Sequence, residues 1–452
     1  MLKLIISFNA LMFCMLTFFG VKQIPTTSKT AAMPMCSTSN TEGGNKWTNT
    51  AFSPVFATVP STVVAFKTDT AFAYSMPTLS ETPKGDILLS WIETDPTGVP
   101  SFCMALSTDK GKTFSDKKVI TSGNGVSSSR LFRSKVLAKK DGSFVAVFAS
   151  RASAPPQNAQ APQVQGGNPP QRAEGGRGGG RGGRASLLVY TVSKDGGTTW
   201  TTPQSVDSDP SAGMRGFYDA TVLANDEIAV AYLKDVKGST KHEERDLRLV
   251  ITKNGVFQPE KLLDAVVCDC CNVNLSVDAK GAFTVYYRDN NDNIRDISKM
   301  TSKDNGATFS NPEILYNDGW RINGCPHNGV ISTPHGKSSA LVAWYSGAET
   351  DGGVRLVTKE GKRLFILAGQ SGKNPALMSS AQMGAMIWEN AEKNQLVYRT
   401  IKDEKVAETK AIEGTTDAVN STGVLIGNQM LIAHEVKMAS KKNGLKIAAI
   451  GL

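Results

Sequence analysis

Three short stretches decide how this chain folds: Ser107-Thr108-Asp109-Lys110-Gly111-Lys112-Thr113-Phe114, Ser193-Lys194-Asp195-Gly196-Gly197-Thr198-Thr199-Trp200 and Ser302-Lys303-Asp304-Asn305-Gly306-Ala307-Thr308-Phe309. Each follows an apolar, strand-like run. In each, the Ser and Asp side chains can bond backbone groups of a turn. Gly111, Gly197 and Gly306 accept a backbone conformation that other residues resist, and the closing aromatic can pack between sheets. Asp109, Asp195 and Asp304 with their glycines therefore read as structural turn residues. Weaker echoes sit at Lys253-Asn254-Gly255, Lys359-Glu360-Gly361 and Lys402-Asp403-Glu404.

Working outward, one unit recurs along the chain. A polar turn precedes a strand-like run at 87–92, 144–149, 228–233, 283–287, 340–345, 385–388 and 430–433. A further strand follows each, at 102–106, 187–192, 247–251, 294–300, 354–357, 396–400 and 445–450. The marker positions Gly85, Gly142, Asp226, Gly281, Gly336, Gly384 and Asn428 are spaced 57, 84, 55, 55, 48 and 44 residues apart. The long interval holds a low-complexity insert. A period near 50 with four short strands per unit marks the blades of a β-propeller. The expected fold is all-β, a seven-bladed propeller of four-stranded blades, with six blades as the alternative. The seventh unit ends after its third strand. Strand-like segments at 55–58 and 63–67 precede the first unit, and one of them can supply the missing strand and cover the open edge.

The repeated S-x-D-x-G-x-T-[WF] turn resembles the Asp box, or BNR repeat, of the sialidase superfamily. That resemblance covers most of the chain after Ala71. It implies that the boxes lie on the face opposite a catalytic site, so they argue for fold and not for activity.

The other face gathers unusual residues. The fourth unit is entered through Cys268-Asp269-Cys270-Cys271-Asn272, and the fifth through Trp320-Arg321-Ile322-Asn323-Gly324-Cys325-Pro326-His327-Asn328. The third is entered by Arg215-Gly216-Phe217-Tyr218-Asp219, the second by Arg130-Leu131-Phe132-Arg133. Arg288 to Asp296, including Arg295, joins two strands of the fourth. Ligand-binding candidates are Arg133, Arg215, Tyr218, Asp219, Asp269, Arg295, Trp320, Arg321, Asn323, His327 and Asn328. Cys268, Cys270, Cys271 and Cys325 read either as a disulfide between Cys325 and one of the other three, or as a copper or zinc site with His327. In an exported chain the disulfide is the first reading. Cys103 reads as a buried thiol within a strand. The C-D-C-C, R-D-x-x-x-x-x-R-D and W-R-I-x-G-C-P-x-N-G runs together resemble a bacterial sialidase-like family, which implies a shared fold.

A sialidase on that pattern needs three arginines for the substrate carboxylate, a Tyr nucleophile with a Glu base, and an Asp acid. An anionic nucleophile would repel the anionic sugar, whereas most glycosidases use two carboxylates. Ser75 stands in Tyr74-Ser75-Met76-Pro77 where the resemblance would put the first Arg. Phe132-Arg133, a unit later, is a partial match. Tyr218, Tyr286 and Tyr287 are candidates equally suited to packing. Arg288 and Arg295 are equally suited to salt bridges with Asp289 and Asp296. No catalytic set is assigned.

Lys3 and the apolar run at 4–20 suit a signal peptide, with an uncleaved anchor as the alternative; residues 1–32 are set aside as this segment and its linker, and 50–452 as one propeller domain. The net charge is +9, much of it in the Pro/Gly/Arg-rich insert at about 152–184, whose composition supports no packed core. The expected localisation is periplasmic, cell-surface or extracellular. The expected role is a non-catalytic, monomeric binding or scaffold propeller for a glycan or cell-surface protein. The alternatives are an exo-glycosidase acting on an acidic sugar and a copper- or zinc-binding propeller. No nucleic acid is expected as a partner, no cofactor beyond that metal, and membrane contact only through an uncleaved N-terminus.

Overall fold

The computed structural model describes residues 56–452 apart from 124, 152–185, 208–214, 237–244, 338, 369–371 and 441. The N-terminal segment expected to direct export and the Pro/Gly/Arg-rich insert at about 152–184 lie outside the described residues. Seven sheets follow in chain order, each an antiparallel meander. Blade one is Ala73–Glu81, Ile87–Thr94, Pro100–Ser107 and Lys118–Ser122. Blade four, which carries the candidate site, is Asn274–Val277, Phe283–Arg288, Ile297–Ser302 and Glu313–Tyr316.

The second strands read as unbroken apolar runs because both of their faces are covered by neighbouring blades. Seven buried apolar clusters fill the seven gaps between blades. One joins the last blade to the first, with Leu431, Ala433 and Ile447 against Tyr74, Leu79 and Trp91. The blade count is therefore seven and not six.

The ring closes through the early chain, as the truncated last unit implied. Thr62–Val64 pairs antiparallel with the final strand, Asn443–Gly451, placing Val64 opposite Ile447. The other early segment is also used: Ala57–Val59 lies parallel to Lys410–Ile412 on blade six. The two early segments thus cover two sheet edges.

Glutamates stitch the inner rim. The first strands of blades one, three, six and seven each bulge near the channel, where Met76, Phe217, Asn374 and Asn420 take φ near +50°. Glu435, at the end of the second strand of blade seven, accepts the Met76 N–H of blade one at 2.8 Å. Glu389 of blade six accepts the Asn420 N–H of blade seven at 2.8 Å.

The three Asp boxes share one geometry. The serine hydroxyl accepts the glycine N–H at 2.7–2.8 Å, and the Thr hydroxyl donates to the Asp carboxylate at 2.6 Å. The box glycines have φ of +82°, +86° and +82°. A Cβ would meet Leu431, Met104 or Ile251 of the preceding blade, so each box is also an inter-blade contact.

Bonds from the threonine hydroxyl, then from the threonine N–H, hold the Asp109 and Asp304 carboxyls down to about 2, and the same bonds hold Asp195 lower still. A depressed carboxyl adds stability above its unfolded value of about 4, and that stability fades as pH falls through the folded value. Asp304→Asn should therefore lower the melting temperature at pH 7 and progressively less as pH approaches 2, measured by thermal unfolding across that range.

Candidate functional site

Three loops meet above blade four, on the face opposite the Asp boxes. Residues 268–273 lead into its first strand, 289–296 join its second and third, and 317–329 lead on to Val330–His335 of blade five. Arg288, at the end of the buried second strand, organises them. Its Nε donates to the Asn328 carbonyl at 3.0 Å, Nη1 to that of Arg295 at 2.5 Å, and Nη2 to that of Tyr345 at 2.8 Å. The guanidinium stands over the Trp320 ring at 5.0 Å, and its own carbonyl accepts the Cys268 N–H at 3.2 Å. A charge that is 1% exposed is tolerable because its donors are satisfied this fully. Arg288 thus bonds to carbonyls rather than to Asp289, which corrects the salt bridge considered from sequence.

The loops are also sewn to one another. Asp296 accepts the Gly319 and Trp320 N–H groups at 3.0 and 3.2 Å, and so pairs with that turn and not with Arg295. Arg321 donates to the Asp292 carbonyl at 2.6 Å. Asn272 Nδ2 donates to the Val330 carbonyl at 3.1 Å. A Cβ on Gly329 would fall 2.0 Å from Asn272 Oδ1, so only glycine lets the two cysteine-bearing loops approach this closely.

At that meeting point the sulfurs gather. The Sγ atoms of Cys268, Cys270 and Cys271 lie within 4.8 Å of one another, and so do those of Cys270 and Cys325 with a ring nitrogen of His327. Cys268 Sγ and Cys271 Sγ are 3.6 Å apart. The first three cysteines are buried, while Cys325 and His327 are exposed. All five described cysteines are free thiols, so the disulfide expected at Cys325 is not formed in this structure; the loops are held by Arg288 and their own hydrogen bonds instead. Bonds from the Cys270 and Cys271 thiols, aided by the Arg288 charge, pull Cys268 below the ordinary thiol range. Burial, with thiol sharing, pushes Cys271 up to about 12. Cys325 is raised by burial and by the Asp269 carboxylate, whose oxygens lie 3.8 Å from its sulfur.

A second polar group occupies the opposite side of the ring, at blades one, two, six and seven. Arg133 donates to the Pro77 carbonyl at 3.0 Å, and Arg130 to Asn374 Oδ1 at 2.5 Å. Asn374 donates to Glu389 at 2.8 Å, and Asn420 Nδ2 to Glu435 at 2.8 Å. Burial raises the Glu389 carboxyl against the opposing pull of these bonds and of Arg130 and Arg133.

The remaining candidates fall into plain places. Tyr218 is buried among the side chains between blades two and three, and Tyr286 and Tyr287 are buried in the flanks of blade four. Asp219 pairs with Lys135 and accepts the Leu275 N–H at 2.9 Å, a clasp between blades. Arg295 is 2% exposed and donates to Asn293 at 3.4 Å. Trp320 is buried against Tyr345. Asn323 and Asn328 are on the same loop as Cys325. Arg215 starts the first strand of blade three, and its side chain lies outside the described residues. The sequence reading missed Glu389, Glu435, Asn374 and Asn420. Its available signal was an acid just after an aromatic or His at the end of a central strand, as in Trp388-Glu389 and His434-Glu435.

A model of the BNR repeat-like domain matches residues 177–391, and no curated protein matches the chain. Among solved structures, a protein of unknown function from Dyadobacter fermentans is similar at 15% identity and a TM-score of 0.48, covering 88% of this chain and 100% of its own. The NanB sialidase of Streptococcus pneumoniae is similar at 11% identity and a TM-score of 0.48, over 87% and 71%. An ulvan lyase is similar at 12% identity and a TM-score of 0.48, over 84% and 94%. The chain is a seven-bladed β-propeller in which residues 177–391 are similar to the BNR repeat-like domain.

Exposure separates the thiols kinetically. An aromatic disulfide reagent should react quickly with Cys325 and slowly with Cys268, Cys270 and Cys271. Cys325→Ser should remove one equivalent from the fast phase and leave the slow phase in place.

Proposed function

We propose that this chain is an exported β-propeller that holds a soft, thiophilic metal ion, copper(I) or zinc(II), above blade four. One observation carries the reading: four cysteine sulfurs and an imidazole from two separate loops form two overlapping groups, each within 4.8 Å. The donor set fits the metal. Zinc–sulfur bonds of about 2.3 Å place tetrahedral sulfurs about 3.8 Å apart, and Cys268 and Cys271 stand at 3.6 Å. Thiolates select copper(I) and zinc over harder ions. The N-terminal apolar run supports export, where the propeller would hold the ion away from water and competing ligands.

The reduced, full chain should bind about one copper(I) or zinc per molecule after desalting, by elemental analysis. Cys270→Ser, which breaks both groups, should weaken binding by about tenfold or more. Affinity should fall as pH is lowered and the thiolates protonate. A protein with two intact disulfides and no bound metal contradicts the reading.

A second reading, an exo-glycosidase acting on an acidic sugar, has one observation in its favour. Glu389 and Glu435 are joined through Asn420 beside Arg130 and Arg133, and a raised carboxyl can serve as an acid. Both carboxylates are already engaged by rim donors, which favours a structural role. Release of a reporter from a sialyl or uronosyl substrate, lost in Glu389→Gln, would support the enzyme; no release would leave Glu389 and Glu435 as clasps.

A further inference from the structure

We propose that the two thiol groups are two stations on one path for copper(I): Cys325 and His327 receive the ion at the surface, and Cys270 passes it to Cys268 and Cys271 inside. This rests on the metal reading and adds direction to it.

The geometry argues against a single five-ligand centre. Cys268, Cys270 and Cys271 lie within 4.8 Å of one another, and Cys270, Cys325 and His327 do so separately. Cys270 alone belongs to both. A tetrahedral site needs every pair of sulfurs about 3.8 Å apart, which the larger set does not meet. Each group offers three donors, the number that suits copper(I) held by soft ligands.

Burial and donor type then give the path a sense. The outer group has two exposed members and mixes sulfur with nitrogen. The inner group is all sulfur, with its members 1–3% exposed. Copper(I) favours the softer set. Exposure and the mixed donor set make the outer ligands easier to release, and burial and all-sulfur ligation make the inner ones better able to hold.

Each step is a ligand exchange. The copper–nitrogen bond to His327 breaks as a copper–sulfur bond to Cys268 forms. The bond to Cys325 then breaks as one to Cys271 forms. Each incoming thiol gives up its proton as it binds, and the released ring nitrogen and the released Cys325 sulfur take one each, so charge and protons balance. Copper stays cuprous throughout, and no oxidant or reductant is needed. Because Cys270 stays bound, the ion is never free. The outside donor must itself hold copper(I) by thiolates weakly enough to exchange at an exposed sulfur.

The test uses the full chain, reduced and oxygen-free, with copper(I)–glutathione as donor and a bathocuproine chelator as competitor. Circular dichroism verifies that each variant is folded. Cys325→Ser/His327→Ala should reach the same final copper content as the unaltered chain but load about tenfold or more slowly. Cys268→Ser/Cys271→Ser should load at the unaltered rate and lose its copper to the chelator about tenfold more readily. Loading of the Cys325→Ser/His327→Ala chain at the unaltered rate overturns the path and leaves the metal site standing. Failure of the unaltered chain to take copper from the donor overturns the path; failure to retain zinc after desalting as well overturns the metal reading with it.

Discussion

The upper face of this propeller depends on one buried guanidinium. Arg288 sits at the end of a central strand, where its N–H groups meet carbonyl oxygens from three different segments. Its charge cannot be solvated by water, so the loops must fold around it to supply acceptors. In doing so they bring Asn328, and with it Cys325 and His327, next to the segment whose Cys268 N–H bonds to the carbonyl of Arg288. One residue thus sets the positions of the cysteine loops, and a change at Arg288 would strand three carbonyls as well as loosen the site.

The ring supplies the rigidity that such a loop cluster needs. Its seven apolar clusters form a closed circuit, so no blade faces water on both sides. Thr62–Val64 returns to the final strand and adds Val64 to the cluster that closes the circuit. The lower face is pinned by the Asp boxes against preceding blades, and the upper rim by Glu389 and Glu435 gripping bulges of the following ones. The box face is built of inter-blade contacts, and the loop face gathers the cysteines.

Much of the architecture was legible in the sequence because its determinants are local. The boxes are turns whose bonds run within eight residues, and the second strands are apolar because both their faces are covered. The incomplete last unit pointed to a strand from the start of the chain. The inner rim was not legible: φ near +50° at Met76 and Phe217 belongs to residue types that do not advertise it, and the partners of those bulges lie hundreds of residues away or in the next blade. The approach of the cysteine loops was foreseeable from their place in the repeat. The role of Arg288 was not, since Arg-Asp neighbours suggest salt bridges while the buried carbonyls that bind Arg288 leave no mark on the sequence. Tyr218 and Asp219 show the same limit, because a strand that opens on the channel face still directs alternate side chains between blades.

Metal-edge X-ray absorption on the reduced, metal-loaded chain tests the thiolate centre most directly. The expected spectrum has a first shell dominated by sulfur at about 2.3 Å, with the sulfur count reduced in Cys270→Ser. A first shell of only nitrogen and oxygen, unchanged by that substitution, would contradict a thiolate-held metal.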